Sequence, residues 1–190
     1  MALVPNVRAL RAHFDAKPRY LRDFFWQMPG LIDESAKFEI ALAYSFLKTE
    51  LAQNRTLYGG ALRLYQAHSE VAQNLIDAQH LTRDTFKTLY KNTFGKIISA
   101  QTDAHFNSAQ RVRNRIIHGK SVQTPDIRNA VAEILDYASG LDAEVFAIAN
   151  FHPFGDMRGI RGRQGSLNKK TTRWLMKGLG YGKSGEAPAA

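Results

Sequence analysis

At 190 residues, 44% hydrophobic and 23% charged, the chain has the make-up of one globular domain, which argues against wholesale disorder. It contains no cysteine, so disulfides, thiolate metal sites and cysteine nucleophiles are excluded. Its net charge of +9 is concentrated late: residues 152–190 hold eight Lys/Arg against two Asp/Glu, a balance that favours a polyanion as partner, nucleic acid before anionic membrane.

The opening Met1-Ala2-Leu3-Val4-Pro5-Asn6 has no signal-peptide core, and no apolar run reaches transmembrane length. The reading is a cytoplasmic protein with no membrane partner. Val7, Leu10 and Phe14 mark a short amphipathic helix. Pro18 interrupts it, and a helix over Tyr20 to Met28 carries Leu21, Phe24, Phe25 and Trp26 before a turn at Pro29-Gly30. That aromatic cluster is either core or an apolar patch for a second subunit.

Asp33 or Ser35 then caps a long helix to about Gln53 that is apolar nearly all round, and so central. Asn54 to Gly60 reads as a break, followed by a helix to about Gln79. Thr82 or Asp84 opens the next, which runs to about Ala100 with Gly95 tolerated inside it. Thr102 or Asp103 caps a helix ending at His118, where Gly119 suits the left-handed residue past a helix end. Thr124, Pro125 and Asp126 form a strong start signal for a further helix, with Ser139-Gly140 as a candidate kink.

From His152 the style changes to glycines interleaved with Arg158, Arg161 and Arg163, which reads as a mobile or partner-ordered segment. Asn168 caps a short helix carrying Trp174, Leu175 and Met176, a patch that needs cover and so is expected to dock. Residues from Lys183 read as a disordered end. No stretch alternates with period two, so the fold class is all-α, a bundle of helices alternating in direction.

Most reactive constellations are absent from the sequence. No histidine pairs with another at i+3 or i+4, so no helical metal site is visible. Gly162-Arg163-Gln164-Gly165-Ser166 lacks the Walker ending, and no Gly-x-Ser-x-Gly elbow occurs. What remains is Arg113-Asn114-Arg115-Ile116-Ile117-His118-Gly119-Lys120. Arg111, Asn114, Arg115 and His118 share one side of that helix. Val112, Ile116 and Ile117 lie on the other, and Arg113 projects between the isoleucines on the side to be buried. A guanidinium there needs a carboxylate, carbonyl or phosphate partner. Alternatively it snorkels past the isoleucines, and His118 merely caps its own helix.

Arg113, Asn114, three residues, then His118, on a helix of an all-helical chain, resembles the signature of HEPN-domain ribonucleases. The Thr124-Pro125-Asp126-Ile127 helix start and Asn168-Lys169-Lys170-Thr171-Thr172-Arg173-Trp174-Leu175 are similar to stretches of the RiboL-PSP-HEPN subgroup. The resemblance spans about Glu34 to Tyr181, and only the central motif is specific. It implies a HEPN-type bundle over residues 31–151, preceded by a helical segment (1–30) and followed by a basic extension (152–190). It also implies a homodimer in which two motifs face each other.

The implied activity is a metal-independent endoribonuclease leaving 2′,3′-cyclic phosphate ends and using no cofactor. Arg113, Asn114 and His118 would be catalytic, and Arg111, Arg115 and Lys120 would form a positive rim. In the extension, Arg158, Arg161, Arg163, Lys169, Lys170 and Arg173 would contact RNA. Toxin–antitoxin pairs and antiviral defence are the family's common settings, which makes an antitoxin or regulator a candidate partner. The alternatives are a non-catalytic HEPN domain that binds nucleic acid or nucleotide, and a regulatory helical partner protein.

Overall fold

A computed structural model describes residues 4–161 and 165–182, and every regular element among them is helical. The order is α1 (Val7–Asp15), α2 (Arg19–Phe24), α3 (Met28–Ile32), a single 3-10 turn (Ser35–Lys37), α4 (Phe38–Tyr65), α5 (Ser69–Asp77), α6 (Arg83–Phe94), α7 (Ala100–Ile117), α8 (Thr124–Ala149) and α9 (Lys169–Gly178). The all-α expectation holds. Arg163 and the chain from Lys183 lie outside the described residues.

The expected break at Asn54 to Gly60 is not there: α4 runs through it. Glycines weaken a helix, but here they are needed for packing. A Cβ on Gly59 would lie 2.4 Å from the Phe151 ring, and one on Gly60 would lie 2.7 Å from that of Phe94. The real break follows at Gln66, whose φ of 54° ends α4. Gly95 terminates α6, with φ of 68°, so that helix stops short of Ala100. Pro29-Gly30 is not a turn either. It lies inside α3, where proline in the first turn loses no helical hydrogen bond. Ser139-Gly140 sits within a continuous α8. A Cβ on Gly140 would meet Thr102 Oγ1 at 2.4 Å, so glycine lets α7 approach closely.

The described chain forms two compact units interleaved in sequence. The first comprises residues up to Leu51, Ser99–Glu144 and Phe154–Asp156; the second comprises Ala52–Ile98, Val145–Pro153 and residues from Met157 onward. Helices α4 and α8 therefore each contribute to both.

In the first unit Leu10, Phe14, Leu21, Phe25, Phe38, Leu42 and Leu141 are buried. The aromatic cluster after Pro18 is mostly core: Phe154 packs edge-on to Phe24 at 5.2 Å and stacks on Phe25 at 6.1 Å. Trp26 is the exception, 67% exposed beside Ile40 and Leu47. Backbone ties reach far along the chain. Val4 N–H donates to Asn129 Oδ1 at 3.0 Å, and Arg128 Nε donates to Val4 O at 2.7 Å. Tyr20 O–H donates to buried Asp142 at 2.6 Å.

One ion-pair cluster in this unit carries pH dependence. Asp136 of α8 lies between His13 Nε2, at 2.9 Å, and Lys17 Nζ. Burial alone would raise its carboxyl, but the contacts with His13 and Lys17 outweigh that and hold it at about 2. A depressed carboxylate stabilises the fold above the ordinary aspartate range and stops doing so as pH falls toward 2. Asp136→Asn is therefore expected to cost about 2 kcal/mol at pH 7. Urea titrations should show the gap from wild type closing between about pH 4 and pH 2.

In the second unit Leu57, Leu62, Ile76, Phe86, Tyr90, Phe94 and Met176 form the core. Residues 151–160 pack closely, where the glycines from His152 onward suggested a mobile or partner-ordered segment. Phe151 is buried against Gly59, and Arg63 donates to the carbonyls of Ala149 and Ile160 at 3.3 and 3.4 Å. Helix α9 docks on α5, as expected, but through Thr172 and Met176. Thr172 Oγ1 accepts from His68 N–H at 2.9 Å, and the buried Tyr181 hydroxyl bonds Thr93 Oγ1 at 2.7 Å.

Candidate nucleic-acid interface

The motif helix α7 starts one turn earlier than the sequence suggests. Ser99, not Thr102 or Asp103, is its N-cap and accepts from Thr102 N–H at 3.2 Å. Thr102 Oγ1 is engaged elsewhere, donating to Glu144 at 2.7 Å. From there Thr102, Phe106 and Ala109 form a buried stripe at helical spacing, and half-buried Arg113 is next in line.

Phe106 meets Phe46 of α4 edge-on at 5.4 Å and Tyr137 of α8 at 4.9 Å. The Arg113 guanidinium covers the outer face of the same Phe46, with its carbon 4.9 Å from the ring centre. Among the described residues its partner is thus an aromatic face, not the carboxylate or carbonyl that the sequence also offered. A cation so placed gains about 0.5–1 kcal/mol and leaves its N–H donors available to an anion.

Beyond Arg113 the helix outruns the surface it packs on. Between Asn114 and Ser121 only Ile116 is more than superficially covered, and Ile117 is 61% exposed. The expectation that Ile117 is buried is therefore corrected: its helical face is right, but the last turn has nothing over it. The end is closed by a paired cap. Gly119, at φ of 68°, donates to Ile116 O at 2.9 Å, and Lys120 N–H donates to Arg115 O at 2.9 Å. Arg115 Nη2 donates to Ser121 O at 2.9 Å and so steadies the loop.

His118 occupies the C-cap position itself, and its ring has no hydrogen-bond partner among the described residues. Asn114 and Arg111 are exposed on the same side, and with Ala104, Asn107 and Gln110 they line a shallow recess of about 360 Å³. Asn107 and Gln110 went unnoticed in the sequence, although their spacing from Arg111 and Asn114 is helical. Arg113 and His118, the two ends of the motif, are not brought together within one chain. Five residues at roughly 100° each put Arg113 and His118 about 140° apart around the axis.

The cations of the extension belong to the second unit. Arg161 Nη2 donates to Ser69 Oγ at 2.6 Å, and Lys169 pairs with Glu70 at 2.7 Å, which holds the Glu70 carboxyl below its usual range. Arg158, Lys170 and Arg173 are exposed, while Arg163 lies outside the described residues.

Among the described residues no group of three His, Asp or Glu side chains is placed to hold a metal ion, and no helix is long and apolar enough to cross a membrane. The chain matches no family model, no curated protein and no solved structure.

Proposed function

We propose that the protein is a metal-independent endoribonuclease of the HEPN type, acting as a homodimer on RNA. The observation that carries this reading is the Arg113-Asn114-x-x-x-His118 spacing at a solvent-facing helix end, with an imidazole at its tip that has no partner among the described residues. In the proposed reaction a base takes the 2′-hydroxyl proton and the 2′-oxygen bonds to phosphorus. The bond from phosphorus to the 5′-oxygen breaks, and an acid protonates that oxygen.

Imidazole serves either proton role near neutral pH. The Arg113 fork and the rim of Arg111, Arg115 and Lys120 offset charge on the phosphorane. Asn114 holds a phosphate oxygen or orients the ring. One chain offers one His118, on a different side of α7 from Arg113. Two copies supply both a base and an acid, and each can present its Arg113 beside the other's His118.

The position of Arg113 over Phe46 favours a second reading, in which it chiefly steadies α7 and the motif grips phosphate without cutting. Incubation of the full chain with RNA in EDTA separates the two. The nuclease reading expects cleavage that persists in chelator, with 2′,3′-cyclic phosphate ends; binding with no cleavage in any buffer selects the second.

A further inference from the structure

Helix α9 turns Thr172 and Met176 inward and presents Lys170, Arg173, Trp174 and Lys177 at i, i+3, i+4 and i+7 on another face. Trp174 is 82% exposed, the most exposed large apolar side chain among the described residues. Docking does not cover it, since α9 is held by Thr172, Met176 and Tyr181. Asn168 Oδ1 caps the helix start at 2.8 Å from Thr171 N–H, and Asn92 donates to Leu179 O at 3.0 Å near its end, so the ring is carried on a helix fixed at both ends. Lys170 makes no ion pair among the described residues, and Glu70 is already taken by Lys169.

We propose that this face of α9 is a stacking platform for single-stranded nucleic acid, with Trp174 under a base and Lys170 and Arg173 on the flanking phosphates. Exposed indole between cations is the combination that grips an unpaired strand without reading its sequence. The net charge of +9 selects an anionic occupant. An anionic lipid surface would need a broad apolar face to insert. Here Leu175 is half-buried and Met176 fully buried, which leaves one ring alone among charges. The inference extends the RNA-binding part of the proposed function and rests on that part, not on cleavage.

The test uses the full chain and labelled oligodeoxythymidine, which has no 2′-hydroxyl and stays intact whether or not the protein is a nuclease. A strand of equal length with abasic sugars is the comparison. Wild type is expected to prefer the base-bearing strand. Trp174→Ala should weaken that binding about tenfold and leave abasic binding unchanged, and Trp174→Phe should keep most of it. Lys170→Ala should weaken both strands alike and lower the salt slope by about 0.7. Equal wild-type affinity for the two strands would overturn the platform. So would Trp174-dependent binding to mixed phosphatidylcholine and phosphatidylserine vesicles with no oligonucleotide binding. Absence of RNA cleavage with the base preference intact would defeat the nuclease reading alone.

Discussion

His118→Ala is expected to lower RNA cleavage by about a hundred- to ten-thousand-fold, the range for losing a general acid or base. Thermal unfolding should barely change, because an exposed ring with no hydrogen bond among the described residues contributes less than about 0.5 kcal/mol. Arg113→Ala should lose cleavage to a similar degree and also destabilise by about 1 kcal/mol, since it uncovers Phe46. Arg113→Lys separates the roles: it keeps a cation over the ring but loses the planar fork that matches two phosphate oxygens. Stability restored by lysine without cleavage is the expected result. Undiminished cleavage by His118→Ala would end the enzymatic assignment, whatever Arg113 does.

A large expected effect on stability comes from one methyl group. Helix propensity alone makes Gly59→Ala stabilising by about 1 kcal/mol. The 2.4 Å approach to Phe151 and the 2.9 Å approach to Ile160 reverse that sign, because a ring and its neighbours must shift. A net loss of about 1–3 kcal/mol is expected. It should appear as a fall in melting temperature of roughly 2–4 °C per kcal/mol. Adding Phe151→Leu should recover part of it, the mark of coupled neighbours. Gly178→Ala, with nothing within 4 Å, is the control and should be neutral or slightly stabilising. A stabilised Gly59→Ala would mean that the contact yields at no cost.

These glycines also show what could be read beforehand. The helices themselves were legible because apolar spacing, the Thr82 and Asn168 caps and the Thr124-Pro125 start are local signals. Gly95 and Gly59 look alike in sequence, yet one ends a helix and the other lies buried within one. The difference is made by Phe151, 92 positions away, and no window of sequence contains it. The motif helix, its polar side and the Gly119 cap were equally local. The partner of Arg113 was not, because Phe46 lies 67 positions upstream and meets α7 only once the chain has folded. Trp174 was expected to need cover; whether Thr172 and Met176 or the indole would face inward depended on α5, which the short helix alone does not encode.

The interleaving of the two units bears on how a growing chain acquires its structure. Neither unit is one continuous stretch. The first lacks Phe154 between Phe24 and Phe25, and the second lacks Met176 and Tyr181, until nearly the whole described chain has left the ribosome. Pairings such as Tyr20 with Asp142, 122 positions apart, close late for the same reason. Each unit is thus expected to complete its core only after residues far along the chain have emerged. Until then the nascent polypeptide exposes the apolar faces of α4 and α8, the helices that serve both cores, and these are natural binding sites for chaperones.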